Sequence, residues 1–142
     1  MTASSRTLPP QTTSPRRILL AEDEMLVAML LEDILIDQGH ALIGPLAHLD
    51  QALQAAQHEA FDLAILDVNL NGQEIYPVAE VLMERGIPFA FSTGYGVQGL
   101  AERWQKHPTL QKPYHRDELY RMVDELALAA TLKGAASEAP RS

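Results

Sequence analysis

A chain of 142 residues is long enough for one domain with a substantial core and too short for two ordinary ones. Its composition, 46% hydrophobic and 21% charged, excludes collagen-like and low-complexity classes, and the lack of cysteine excludes disulfide frameworks, thiol nucleophiles and zinc-thiolate sites. A net charge of -8 disfavours nonspecific contact with nucleic acid or anionic lipid, so any phosphate chemistry needs a local cation.

In chain order, residues 1–15 hold seven Ser/Thr and three Pro with Leu8 as the one large aliphatic, which predicts a disordered tail. Residues 16–132 carry 8 basic and 18 acidic residues and are expected to form the folded unit, with 133–142 a second disordered tail. The apolar runs Ile18–Ala21 and Asp62–Leu66, each ending abruptly in acids, read as buried parallel strands. His40–Leu46, Pro88–Phe91 and Thr109–Gln111 are three further strand candidates. Helices are expected over Glu24–Gln38, Leu49–Glu59, Ile75–Arg85, weakly over Leu100–Lys106, and over Asp117–Thr131, with Gly39 and Gly86 as stops. Strict alternation of strand and helix predicts an α/β fold: a flavodoxin-like, doubly wound, five-stranded parallel sheet of order 2-1-3-4-5, with helices on both faces. The longest apolar run, Met25–Leu31, is far short of a membrane span, and no signal-peptide stretch opens the chain, so a cytoplasmic location is expected.

Sites in such sheets form at the carboxyl ends of the strands. There the sequence sets Glu22-Asp23-Glu24, Asp67, Ser92-Thr93-Gly94 and Lys112-Pro113. Asp23 and Asp67 fall on neighbouring strands, where like charges call for a cation, and an all-oxygen set suits Mg²⁺ or Mn²⁺ better than zinc. Taken singly, Glu22 and Asp23 fit acids at a helix N-terminus, Asp67 and Thr93 fit turn residues, and Lys112 fits a surface charge. Their coincidence at one sheet edge favours a common site.

From Ile-Leu-Leu-Ala-Glu-Asp-Glu through Leu-Asp-Val-Asn-Leu-Asn-Gly and Phe-Ser-Thr-Gly to Gln-Lys-Pro-Tyr, residues 16 to about 130 resemble the receiver domain of two-component response regulators. The resemblance implies a phosphoryl group taken from a sensor histidine kinase onto Asp67. It also implies Mg²⁺ held by Asp23, Asp67 and the backbone carbonyl of Asn69, with Glu22 acting through water. Thr93 and Lys112 would contact the phosphoryl oxygens, and the Lys112–Pro113 bond would be cis. Such a protein is a phosphoacceptor rather than an enzyme, limited to self-phosphorylation from small donors and autodephosphorylation.

Some residues depart from the family pattern. The acceptor loop is short, with Gly72 five residues after Asp67, and Thr109 stands where an aromatic switch residue is usual. Phe91-Ser92-Thr93-Gly94 with Tyr95 resembles the subgroup named for Phe-Ala-Thr-Gly-x-Tyr, commonly single-domain and often served by HWE-class kinases. Gly94, Gly96 and Gly99 predict a mobile 94–101 segment in place of a regular helix start. On the first helix, Val27, Leu30, Leu31, Ile34 and Gln38 form the expected core stripe, leaving Met25, Met29 and Ile36 as a kinase-docking stripe. The five histidines lack metal-ligand spacing and are expected at surface or edge positions, with Trp104 and Tyr120 in packing roles. A downstream protein partner is expected, with no role for nucleic acid or membrane. Two rivals stay open. A haloacid-dehalogenase-type hydrolase wants Asp-x-Asp, which Glu22-Asp23-Glu24 does not supply; a pseudo-receiver would act only as a phosphorylation-independent binding module, against the complete set of Asp23, Asp67, Thr93 and Lys112.

Overall fold

The computed structural model describes residues 15–137, with the side chains described through Leu132. The tail expected over residues 1–15 therefore falls almost wholly outside the described residues. Chain order is β1 (Arg17–Ala21), α1 (Met25–Asp37), β2 (Ala41–Leu46), α2 (Leu49–His58), β3 (Leu63–Asp67), β4 (Asn69–Leu70), β5 (Gln73–Glu74), α3 (Tyr76–Arg85), β6 (Phe89–Thr93), β7 (Thr109–Gln111) and α4 (Arg116–Ser137). The main sheet is parallel with order β2-β1-β3-β6-β7, the doubly wound arrangement expected.

Its apolar strands are buried on both sides, as strands sandwiched between helix layers must be. On one face Leu19, Leu66, Phe89 and Phe91 pack with α2, α3 and Trp104. On the other, Ile18, Leu20, Leu63, Ile65 and Ala90 pack with Leu31, Ile34 and Leu35 of α1 and Leu119, Val123 and Leu126 of α4. Edge strand β2 bends at a cis Gly44–Pro45 bond. Gly44 has φ +110, and a Cβ there would lie 2.5 Å from the Leu20 carbonyl oxygen, so only glycine fits.

Several expectations need correction. The expected helix over Leu100–Lys106 is reduced to one 3₁₀ turn, Glu102–Trp104, following another at Gly96–Gly99, because the Trp104 ring is drawn into the aromatic cluster. Trp104 stacks on Tyr76 at 6.0 Å and meets Phe91 edge-on at 5.7 Å. Helix α4 continues to Ser137, past the expected boundary at residue 132, with Gly134 carried inside the helix between Lys133 and Ala135. His40 is buried rather than at the surface, because its Nδ1 accepts the backbone N–H of Arg16 at 3.0 Å. Leu30, expected in the core, is 55% exposed, and the buried stripe of α1 is Ala28, Leu31, Ile34 and Leu35. Among the described residues, no helix is long and apolar enough to cross a membrane.

Candidate functional site

Parallel register assembles the site. Leu20 pairs with Ile65 and Ala21 with Leu66, so Glu22 and Asp67 leave adjacent strands side by side. Asp67 in turn pairs with Ser92 on β6, and Thr93 with Gln111 on β7, which brings Lys112 to the same edge. The Lys112–Pro113 bond is cis, as the resemblance implied.

The lysine lies among three carboxylates: its Nζ is 2.9 Å from Glu22 Oε1, 3.0 Å from Glu24 Oε1 and 3.2 Å from Asp67 Oδ2. Glu22 is 2% exposed and Asp67 7%, so both carboxylates have lost most of their hydration. Burial, then hydrogen bonding and repulsion from Glu22, push the Asp67 carboxyl up to about 7 despite the opposing ammonium of Lys112. Burial alone would lower Lys112, yet its carboxylate partners hold it above the ordinary lysine value.

Oxygen atoms of Glu22, Glu24 and Asp67 lie within 4.8 Å of one another, close enough to share one cation. An ammonium already occupying the middle of such a group, and a carboxyl raised toward neutrality beside it, are what a cluster short of positive charge produces. The donor set is all oxygen and fits a hard divalent ion such as Mg²⁺.

Of the other residues expected here, Asp23 reaches the loop that follows β3: its Oδ2 accepts the Asn71 N–H at 2.8 Å. Asn69 donates its N–H to Asp67 Oδ1 at 3.3 Å, and its side-chain oxygen accepts the Gly72 N–H at 2.7 Å. Thr93 is buried at the end of β6, where its hydroxyl accepts the Tyr95 N–H at 3.1 Å. A Cβ on Gly99 would lie 2.6 Å from that hydroxyl, so the 94–101 segment is folded tightly onto Thr93. Tyr76 holds the segment's far end, its hydroxyl accepting the Ala101 N–H at 2.8 Å.

Two contributors escaped the sequence analysis. The short acceptor loop is a β4–β5 hairpin, with Asn71 at φ 51 and Gly72 at φ 86. Asn-Gly is the strongest short-range hairpin signal, and would have revealed it. Glu24, named among the strand-end acids but given no role of its own, is a direct partner of Lys112; no local pattern distinguishes it from an acid at a helix start.

On α1, Met25 (74%), Leu26 (82%), Met29 (53%), Leu30 and Ile36 stand exposed. Of these, Leu30 lines a groove of about 400 Å³ that it shares with Val27, Leu31, Ile34, Gly94, Pro113 and Tyr114 beside Lys112, while Met25, Met29 and Ile36 project from the opposite side of the helix.

This geometry offers a buried carboxylate nucleophile with an ammonium at hydrogen-bond distance, further carboxylate oxygens that could share a cation, and a hydroxyl at the end of the next strand. Attack on a phosphoryl group needs such positioning and charge neutralisation more than covalent assistance.

Comparison with known proteins agrees. The chain is 32% identical over 90 residues to the transcriptional regulatory protein PdtaR of Mycobacterium tuberculosis, covering 63% of this chain and 44% of PdtaR. It therefore spans less than half the length of that relative. SdrG of Sphingomonas melonis Fr1 superposes with a TM-score of 0.70 at 40% identity, over 83% of this chain and 97% of SdrG. The response regulator PhyR of Brucella abortus superposes with a TM-score of 0.76 at 24% identity, over 90% of this chain and 54% of PhyR, a likeness of fold. Residues 18–124, which include every strand-end residue described above, match the response regulator receiver domain, and the chain belongs to that family.

Proposed function

We propose that this receiver domain takes a phosphoryl group from a sensor histidine kinase onto Asp67 and signals through protein contacts in the cytoplasm. Receiver domains are generally phosphorylated by histidine kinases, bind Mg²⁺ in their acidic site, and are not enzymes in the usual sense. The observation that carries the assignment to Asp67 is its place: buried, at the end of β3, with Lys112 at 3.2 Å and a second carboxylate alongside.

Asp67 and, through water, Glu22 from the acidic group, with Asp23 and the Asn69 carbonyl that the family pattern adds, are the groups that would hold Mg²⁺, which when bound supplies neutralisation of phosphoryl oxygen charge. Asp67 presents the nucleophilic oxygen. Lys112, released from Glu22 and Glu24, pairs with one phosphoryl oxygen, and Thr93 turns from the Tyr95 N–H to donate to another. Glu22 and the β4–β5 hairpin limit water around the acceptor.

The exposed methionine face of α1 suits a helical partner, since methionines adapt to varied helix surfaces. We assign Met25 and Met29 to kinase docking, with an HWE-class kinase as the expected donor. The test is binding of beryllofluoride followed by ¹⁹F NMR. Bound fluoride resonances that need Mg²⁺ and vanish in Asp67→Asn support the proposal. Metal-independent binding, or binding that survives the substitution, refutes it and favours a phosphorylation-independent binding module.

A further inference from the structure

The sheet row that carries Asp67 also carries a hydroxyl that the proposed transfer does not use. Asp67 pairs in register with Ser92, and Ala90, two residues earlier, packs in the α1–α4 layer together with Ile65, two residues before Asp67. Alternation along a strand therefore sets the Ser92 side chain on the same face as Asp67, one strand away, with Glu22 on the strand beyond.

Ser92 is 1% exposed, and its Oγ has no hydrogen-bond partner. Tyr114, two residues past Lys112, packs against this same layer, and its hydroxyl oxygen is also buried without a partner. The two hydroxyls are near enough to influence one another, and the phenol senses the charges of Glu22, Lys112 and Asp67. A buried hydroxyl left unpaired is costly. Ser92 stands where the Phe-Ala-Thr-Gly pattern has alanine, so this cost is an addition of the present chain.

We propose that Tyr114 and Ser92 form a two-hydroxyl relay that positions Asp67 and shortens the lifetime of its acyl phosphate, with Tyr114 Oη–H donating to Ser92 Oγ and Ser92 Oγ–H donating to the Asp67 carboxyl. This rests on the phosphoacceptor reading above. In the resting arrangement the Asp67 oxygens are held by the Asn69 N–H and Lys112. The Ser92 bond forms once Lys112 shifts to the phosphoryl group.

In hydrolysis, the oxygen of water bonds to phosphorus as the bond from phosphorus to the Asp67 oxygen breaks. The electron pair stays on Asp67 as its carboxylate, and the proton from water leaves with inorganic phosphate. A carboxylate accepts hydrogen bonds more strongly than an acyl oxygen, so the Ser92 donor stabilises the departing carboxylate more than the acyl phosphate. The same preference restrains Asp67 as a nucleophile in the forward direction. Ser92 and Tyr114 are positioning residues, and Asp67 alone bonds to phosphorus.

The test labels wild type, Ser92→Ala, Tyr114→Phe and the double variant with acetyl phosphate and Mg²⁺, removes the donor, and follows decay by intact mass. Each single variant is expected to lengthen the lifetime by about two- to tenfold, the range of one hydrogen bond. The double variant is expected to last no longer than the slower single one, because the pair acts as a unit. The maximal labelling rate should rise while the donor concentration at half-maximal rate and the melting temperature stay at wild-type values, a split that loss of packing would not produce. Unchanged lifetimes in both single variants, faster decay, or effects that multiply in the double variant overturn the relay. Wild type that takes no label at all refutes the phosphoacceptor reading and the relay with it.

Discussion

Metal-free protein should be more stable in mild acid than at neutral pH, and Asp67 is the reason. Its carboxyl titrates near 7 in the folded chain because burial and Glu22 disfavour the charged form, against an ordinary value of 3.8. Between those values the folded state holds a proton that the unfolded state has released, so stability falls as pH rises from about 4 to about 7. At about 1.4 kcal/mol per pH unit, the full penalty above pH 7 is about 4 kcal/mol, and the part recovered between pH 7.5 and 5.5 is about 2 kcal/mol. For a domain of this size that corresponds to a melting-temperature rise of about 6–10 °C. His40 works in the opposite sense: burial, its largest cause, lowers its value, so acid favours the unfolded chain. Asp67→Asn keeps His40 and isolates the difference. The assay is thermal unfolding by circular dichroism in chelator from pH 5.5 to 7.5. Wild type should gain stability in acid relative to Asp67→Asn, and the variant should be the more stable at pH 7.5. Parallel pH profiles for the two proteins would refute the electrostatic reasoning.

Millimolar Mg²⁺ should raise the melting temperature of wild type by mass action and raise Asp67→Asn much less; a wild-type curve indifferent to Mg²⁺ contradicts the cation site. Lys112→Ala leaves Glu22, Glu24 and Asp67 without their ammonium, and should cost about 3 kcal/mol in chelator with much of it restored by Mg²⁺, as measured by urea denaturation. Exchange of the Tyr95 amide should quicken on phosphorylation, because Thr93 leaves the Tyr95 N–H for the phosphoryl group; unchanged exchange in the two states contradicts this. Met25→Asp with Met29→Asp should slow transfer from the sensor kinase and leave labelling by acetyl phosphate intact, because both side chains are exposed; equal loss from both donors would mean that the helix is disrupted.

The fold was legible wherever burial left one solution. Ile18–Ala21 and Leu63–Leu66 are apolar without alternation, a pattern that suits a strand covered on both faces, and each gives way directly to an acid, Glu22 or Asp67. The abrupt ends also located Glu22, Asp67 and Lys112. Less legible were features decided by tertiary contact. Trp104 drawn against Tyr76 and Phe91 pulls 100–106 out of helical geometry, an effect absent from local propensity. Leu30 shares a helical face with Leu31 and Ile34 on a helical wheel, but the turn carrying Lys112 and Pro113 leaves a groove beside it. His40 looks like a polar loop residue until its ring is seen to close the Arg16 N–H. Asn71-Gly72 was legible in principle, as its two positive φ values follow from residue type alone. The pairing of Ser92 with Asp67 was not, because it is set by strand register, which only the sheet supplies.

The most direct test of the central claim is intact-mass analysis after incubation with acetyl phosphate and Mg²⁺, followed by peptide mapping. Wild type should gain one acid-labile phosphoryl group on the peptide containing Asp67 and gain none when chelator is present during the incubation, and Asp67→Asn should gain none, since an amide cannot form the acyl phosphate. Equal labelling of wild type and Asp67→Asn, or a label on any other residue, would contradict the assignment.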